Sequence, residues 1–163
     1  MPSRTASCHC GQLRIEVEGE PRVGVCHCLA CQQRTGSVFA ALASFAAPYR
    51  VFGQATEYVR AGDRGARFRF RFCPVCGTNL FHTEEGTADR VSVAVGAFAD
   101  PTFPQPKYSI YDSRRHSWVK MPSAPLPSTR IRRELGRPDP FIDNAAGQSG
   151  EGSNLALSEQ GRS

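Results

Sequence analysis

Short segments in which apolar and charged residues alternate dominate the chain from Gln12 to Val119. RFRFRF alternates without a break over Arg67–Phe72, so that three phenylalanines face one way and three arginines the other. The other segments that the pattern predicts as strands are Gln12–Glu18, Val38–Phe45, Arg90–Phe98 and Lys107–Asp112. Glycine, proline and aspartate clusters separate these segments, and no long amphipathic helix interrupts them. The pattern therefore predicts an all-β (mainly β) domain.

The composition of the chain changes after Pro122. Residues 123–163 begin as a proline-rich, charged stretch and end as a polar stretch with few large apolar side chains. Such a segment cannot bury enough surface to offset the entropy lost on ordering it. We therefore expect a folded, zinc-binding domain over residues 5–122 and a flexible tail over residues 123–163.

Length, hydropathy and charge narrow the class of protein. A chain of 163 residues with 40% hydrophobic content suits one compact domain. No apolar run approaches the roughly 18 residues of a membrane span, so we expect no membrane partner. The start MPSRTASCHC lacks the apolar stretch of a secretory signal, which favours a cytoplasmic protein. The formal net charge of +5 leaves nucleic acid open as a partner, although a less favoured one.

The seven cysteines carry the strongest chemical signal, and they fall into three clusters. The clusters are Cys8 with Cys10; Cys26 with Cys28 and Cys31; and Cys73 with Cys76. An odd number of cysteines leaves one over in a full set of disulfides, and cytoplasmic thiols stay reduced. Short C-x-C and C-x2-C spacings suit thiolates that bind the same metal ion. We interpret all seven cysteines as zinc ligands.

Seven thiolates divide naturally into a closed set of four and an open set of three. The triplet can hold one ion from a single loop and leave the fourth ligand position free, as a catalytic zinc requires. The two outer pairs supply a complete tetrahedron, as a structural zinc requires, and in CPVCG Pro74 stiffens the turn while Gly77 permits a left-handed conformation. A competing division, in which a histidine completes the triplet site, stays open, although His27 between two ligands would point away from their ion.

Several spaced motifs, in a fixed order, resemble one known family. A C-x-C is followed by GQLRIEVE, CHCLACQQRTGSVF, FCPVCGTNLF, VAVGAFADP and YDSRRHSW. Together these motifs resemble the glutathione-dependent formaldehyde-activating family, which shares its fold with centromere protein V, over roughly residues 5–122. The resemblance implies a β-tent fold of several small antiparallel sheets with zinc-knuckle loops. It also implies two zinc ions per chain, a structural one held by the four outer cysteines and a catalytic one held by the triplet.

The same resemblance implies an activity. It indicates a carbon–sulfur lyase of the S-(hydroxymethyl)glutathione synthase type, acting on a thiol adduct of formaldehyde or a related aldehyde. The thiol substrate would be glutathione or another small thiol. A zinc with three thiolates can bind and deprotonate an incoming thiol, and we favour this over carbonyl activation because the sulfurs donate electron density to the metal. The alternative is a non-catalytic, zinc-stabilised module that binds protein or nucleic acid through its arginine-rich strand.

Polar residues near the triplet are candidates for substrate binding, because the two carboxylates of glutathione require cations and amide donors. These candidates are Gln32, Gln33, Arg34 and Thr35. Asp112 is a further candidate, because it lies in the YDSRRHSW motif, which the resemblance places near the metal. His82 and His116 are candidates for proton transfer, since imidazole titrates near neutral pH.

Overall fold

A computed structural model describes residues 2–62, 65–87 and 89–121, and the predicted tail lies outside these residues. Within them the chain forms ten strands, one α-helix and two short 3₁₀ helices, which confirms the prediction of a mainly β fold. The strands are β1 Ser3–Ser7, β2 Arg14–Glu18, β3 Arg22–Cys26, β4 Ala40–Ala46, β5 Tyr49–Phe52, β6 Thr56–Ala61, β7 Arg67–Phe72, β8 Asn79–Glu84, β9 Arg90–Ala94 and β10 Tyr108–Ile110. The helices are α1 Leu29–Thr35 and the 3₁₀ helices Val95–Phe98 and Asp112–Arg114.

The strands build two sheets. β1, β2 and β5 form a three-stranded sheet, and the other seven strands form a larger sheet in the order β10-β3-β4-β9-β8-β7-β6. Neighbouring strands run antiparallel except β10, which pairs parallel to β3 with Tyr108 opposite Gly24. The Tyr108 ring covers this glycine, and a Cβ there would collide with the ring. The absence of a side chain at residue 24 thus allows β10 to close the edge of the larger sheet.

Each of the five segments predicted as strands contains one. β7 begins and ends where the pattern places it, and β2, β4 and β10 are shorter or shifted by a few residues. The segment Arg90–Phe98 is the exception, because it is a strand only as far as Ala94 and then turns into the 3₁₀ helix Val95–Phe98. No helix among the described residues has the length and apolarity needed to cross a membrane.

The core takes alternate residues from both sheets, as the period-two pattern requires. Ile15 and Val17 of β2 are fully buried, and so are Val91 and Val93 of β9. Phe45 of β4 is buried in the same cluster. Two cysteines of the outer pairs also belong to this cluster, so that one candidate metal site is continuous with the core.

β7 has the two faces that its sequence predicts. On one face Phe68 and Phe70 pack against the ring of His82 on β8. On the other face Arg69 forms an ion pair with Glu57 of the neighbouring strand β6. The aromatic face lies on the side of α1, since Arg34 of that helix stacks on the Phe70 ring.

Candidate metal centres

The outer cysteine pairs converge although they are distant in sequence. Cys8 and Cys10 lie in the turn between β1 and β2, and Cys73 and Cys76 lie in the turn between β7 and β8. All four sulfur atoms lie within 4.8 Å of one another, and Cys10 Sγ is 3.5 Å from Cys8 Sγ and 3.6 Å from Cys73 Sγ. Zinc–sulfur bonds of about 2.3 Å place tetrahedral sulfurs about 3.8 Å apart, whereas a disulfide has a bond of about 2.05 Å. The four free thiols therefore have the spacing of a single tetrahedral metal site.

Hydrogen-bond donors surround the sulfurs of this four-cysteine site. Gln12 Nε2 donates to Cys73 Sγ at 3.0 Å, and the backbone N–H of Leu13 donates to Cys8 Sγ at 3.3 Å. Gly77 has a φ of 70°, the left-handed conformation that the CPVCG motif predicts. Burial opposes ionisation of Cys73, but the hydrogen bonds from Gln12 and from the turn lower the pKa of its thiol. At Cys73 the surroundings thus favour the thiolate form that binds metal.

The cysteine triplet is assembled where β3 ends and α1 begins. Cys26 is the last residue of β3, Cys28 is the N-cap of α1 and Cys31 lies in its first turn. Their three sulfur atoms lie within 4.8 Å of one another. Cys28 Sγ accepts a hydrogen bond from the Cys31 N–H at 3.3 Å, as a serine or aspartate oxygen does at other helix starts. The start of the helix therefore brings the three thiols together.

Contact between the three thiols makes them ionise unequally. Hydrogen bonds from Cys26 and Cys28 lower the pKa of Cys31, and the charge of Arg34 adds to this effect. The hydrogen bond to Cys28 raises the pKa of Cys26. A bound cation is the simplest means of ionising all three sulfurs at once.

The triplet has three ligands and not four within the part of the chain that the structure describes. No histidine, carboxylate or further cysteine there joins the three sulfurs within 4.8 Å. His27 lies between two of the cysteines, but its ring packs edge-on against Phe39 at 5.7 Å between centroids. Burial lowers the pKa of His27, which keeps the imidazole neutral. The competing division, with a histidine completing the triplet, is therefore not what the structure shows.

Gln32, one of the predicted substrate-binding residues, makes internal hydrogen bonds. Its Nε2 donates to the carbonyl oxygens of His27 at 2.9 Å and Arg114 at 3.1 Å. Its Oε1 accepts from His116 Nε2 at 3.0 Å. Gln32 thus ties α1 to the segment that follows β10, and it also gives His116 a structural partner.

Three other candidates lie around the same helix and segment. Gln33 is exposed on α1, and Thr35 Oγ1 donates to the carbonyl oxygen of Cys31 at 2.8 Å. Asp112 accepts a hydrogen bond from Ser109 Oγ at 2.6 Å. Their role in substrate binding stays a prediction.

Arg34 is the candidate whose charged group reaches the triplet. Its Nη2 lies 3.9 Å from Cys31 Sγ, and its Nη1 donates to Asn79 Oδ1 at the start of β8. Its Cζ lies 4.6 Å from the centroid of the Phe70 ring. Sequence reasoning missed the contributions of Asn79 and Phe70, because only the pairing of β7 with β8 beside α1 brings them to the site.

His82 lies on the aromatic face next to Arg34. Its ring centroid is 4.9 Å from that of Phe70 and 5.9 Å from that of Phe68. Burial, together with the charge of Arg34, lowers the pKa of His82 to about 3. The imidazole is therefore neutral near pH 7, and so low a pKa makes it a weak proton acceptor.

Replacing His82 with leucine is expected to make the stability of the domain less sensitive to acid. The pKa is lowered from 6.5 to about 3 on folding, so the unfolded chain binds more protons within this window and stability falls as the pH drops through it. Between pH 7.5 and pH 5 this one group should cost about 2 kcal/mol. Urea unfolding of wild type and His82→Leu at both pH values measures the difference.

Acid also protonates the cysteines, but it does so in both proteins, so the comparison isolates His82. The matched control is His116→Gln, which replaces an exposed histidine and leaves the buried His82 in place. Equal acid sensitivity of wild type and His82→Leu would contradict the assignment of a buried, neutral imidazole.

Two cysteine clusters with metal-binding spacing, joined to a small mainly β domain, define a two-site metal-binding β domain. The family model described as glutathione-dependent formaldehyde-activating enzyme matches residues 3–114, and the chain belongs to this family. Among solved structures, the crystal structure of a Rhodobacter sphaeroides protein, a structural-genomics target, is 30% identical. That match covers 57% of this chain and 85% of the other, with a TM-score of 0.45. No curated protein matches the chain.

Proposed function

We propose that the protein is a zinc-dependent carbon–sulfur lyase that forms or cleaves S-hydroxymethylglutathione, or a related adduct of a thiol and an aldehyde. The observation that supports this most is the triplet, whose three thiols converge with no fourth ligand among the described residues. The family description names glutathione and formaldehyde and supports the same chemistry.

The metal that we propose for both sites is zinc. Every donor is a thiol, and sets of soft sulfur ligands at tetrahedral spacing suit zinc. The closed set of four would be structural, because it joins a turn of the three-stranded sheet to a turn of the larger sheet. The triplet would be catalytic, because a zinc with an open position can bind a thiol and lower its pKa.

The residues of the chain contribute position and charge. Cys26, Cys28 and Cys31 would hold the catalytic zinc and serve as its three fixed ligands. Gln32 would fix α1 against the segment after β10, since its amide is already bonded on both sides. Arg34 would place a positive charge beside the sulfurs.

We propose that the part of the thiol substrate beyond its sulfur binds to Gln33, Thr35 and Asp112. Gln33 and Thr35 lie on the helix that carries Cys31, and Asp112 follows the strand paired with β3.

In the forward reaction the thiol sulfur forms a bond to the aldehyde carbon and the carbonyl π bond breaks. The thiol proton ends on the new hydroxyl oxygen, and cleavage reverses each of these changes.

The alternative function, a non-catalytic, zinc-stabilised module that binds protein or nucleic acid through the arginines of β7, finds less support. Arg67, Arg69 and Arg71 all form ion pairs with the glutamates Glu57 and Glu85. Arg69 pairs with both of these glutamates, at 2.9 Å and 2.6 Å. Phosphates would have to displace these carboxylates, so the strand does not present a run of unpaired cations.

The test is the rate at which glutathione and formaldehyde interconvert with their adduct, measured by NMR exchange spectroscopy with and without catalytic amounts of the zinc-loaded protein. We expect exchange well above the spontaneous rate and two zinc ions per chain, one of which a mild chelator removes without unfolding. Exchange at the spontaneous rate only, together with retarded migration of nucleic acid at moderate salt, would favour the binding module instead.

A further inference from the structure

Arg34 has no carboxylate partner within the described parts of the chain. Partly buried charges normally have a partner of opposite sign, because desolvation is costly without one. Arg69 and Arg71 of β7, which are also partly buried, follow this rule through their ion pairs with Glu57 and Glu85. At Arg34 the neighbouring polar groups are the neutral amide of Asn79 and the sulfur of Cys31. Its positive charge is therefore available to anions at the triplet.

The guanidinium group is also held in place. Asn79 Oδ1 on β8 accepts a hydrogen bond from Arg34 Nη1. The guanidinium group stacks on the ring of Phe70 on β7, with Arg34 Cζ 4.6 Å from the ring centroid. The backbone of Arg34 belongs to α1, so three elements fix one side chain. Phe68 and the neutral His82 extend the apolar layer around Phe70. A fixed charge next to such a layer acts more strongly than one in water.

The charge of the triplet explains why a fixed cation would be useful there. Three thiolates and one divalent cation leave the site with one net negative charge, and an incoming thiolate adds a second. Repulsion from the three sulfurs therefore opposes the binding of any thiol in its ionised form, whatever the rest of the molecule carries. Arg34 Nη2, at 3.9 Å from Cys31 Sγ, is close enough to offset this repulsion.

We propose that Arg34 is a positioning residue that supplies the counter-charge for thiolate binding at the triplet, and that Asn79 holds it there. The inference rests on the proposed function and makes it more specific: the site accepts small thiolates as a class, including those that carry no carboxylate. It also replaces the simpler expectation that Arg34 binds a carboxylate of glutathione.

The experiment uses the full chain loaded with cobalt(II), whose absorption bands report a change of ligand. Two thiols are titrated: 2-mercaptoethanol, which has no carboxylate, and glutathione, which has two. Arg34→Gln is expected to weaken the binding of both thiols by the same factor, about tenfold. Arg34→Lys keeps the charge and should recover most of the affinity, and Asn79→Ala should lie between wild type and Arg34→Gln.

The matched control is Arg50→Gln, which removes the same charge from an exposed position on β5 and should leave both affinities unchanged. Cobalt spectra recorded before thiol is added show whether each variant assembles its sites. If Arg34→Gln does not assemble its metal sites, the thiol affinities of Arg34→Lys and Asn79→Ala are compared with those of wild type instead.

Two results would overturn the inference. Weakening for glutathione alone would show that Arg34 binds a carboxylate, and equal affinities in wild type and Arg34→Gln would show that its charge is irrelevant. The proposed function fails separately: thiol binding that depends on Arg34, combined with exchange at only the spontaneous rate, would reject the lyase and leave the counter-charge in place. A wild-type spectrum that neither thiol alters would reject both.

Discussion

Replacing Cys73 with serine is expected to abolish cooperative folding of the domain at 25 °C. Cys73 is 1% exposed and belongs to the core cluster, and its site joins turns from the two sheets. Binding of a structural zinc contributes about 10 kcal/mol or more, which is comparable to the whole stability of about 5–15 kcal/mol of a small domain. Serine is close to cysteine in size but is a poor zinc ligand, so the loss reflects the metal and not the packing. Thermal unfolding followed by near-UV circular dichroism measures it.

The matched control for Cys73→Ser is Cys31→Ser, which removes a thiol from the triplet. Cys31 is only partly buried and lies in a helix that contributes no buried residue to the core. This variant should lose one of two zinc ions and still unfold cooperatively near the wild-type temperature. A cooperative transition of Cys73→Ser within a few degrees of wild type would show that the four-cysteine site does not support the fold.

Both cysteine sets could be predicted from the sequence, because each pair or triplet is made of near neighbours and a thiol has few other uses in a reduced protein. The pairing of Cys8 and Cys10 with Cys73 and Cys76 needed one further step. A closed site needs four ligands and an open site keeps three. If each cluster of neighbouring cysteines stays together, joining the two pairs is the only way to obtain one set of four and one set of three. The structure groups the sulfurs in the same way, four and three, and the structural and catalytic roles of the two groups stay predictions.

Five of the ten strands in the described residues were not predicted from the sequence pattern, and their sequences show why. β1 reads SRTAS and β6 reads TEYVRA, and both lie mainly exposed at an edge of their sheets, where polar residues are tolerated. β3 reads RVGVC, in which a run of four buried residues has no alternation to detect. Strands of this kind are defined by the neighbours they pair with, and the sequence alone does not name those neighbours.

The helix α1 was missed for a different reason. It has seven residues, LACQQRT, and none of them is buried, so it has no amphipathic pattern. The hydrogen bond to the Cys28 sulfur at its start and the contacts of Gln32 stabilise it instead. The surroundings of Arg34 were likewise beyond prediction, because Asn79 comes from a strand that the pattern did not reveal.

Replacing Cys28 with serine is expected to remove the proposed lyase activity while leaving the fold intact. Cys28 has two roles, as a thiol of the triplet and as the N-cap of α1. Serine is a good N-cap, so the helix should still form, but the triplet loses a zinc ligand. We expect exchange of the glutathione adduct to fall by more than the roughly 10–100-fold that loss of a group merely supporting a ligand costs. NMR exchange rates and zinc content per chain measure both effects.

Cys28→Ala separates the two roles further, because alanine can neither bind zinc nor cap the helix. It should be as inactive as Cys28→Ser and about 1 kcal/mol less stable, since a lost N-cap typically costs that much. Equal stability of the two variants would mean that the sulfur does not cap α1. If Cys28→Ser instead keeps the wild-type excess rate with one zinc ion per chain, the chemistry takes place away from the triplet, and an open three-thiolate metal site no longer accounts for it.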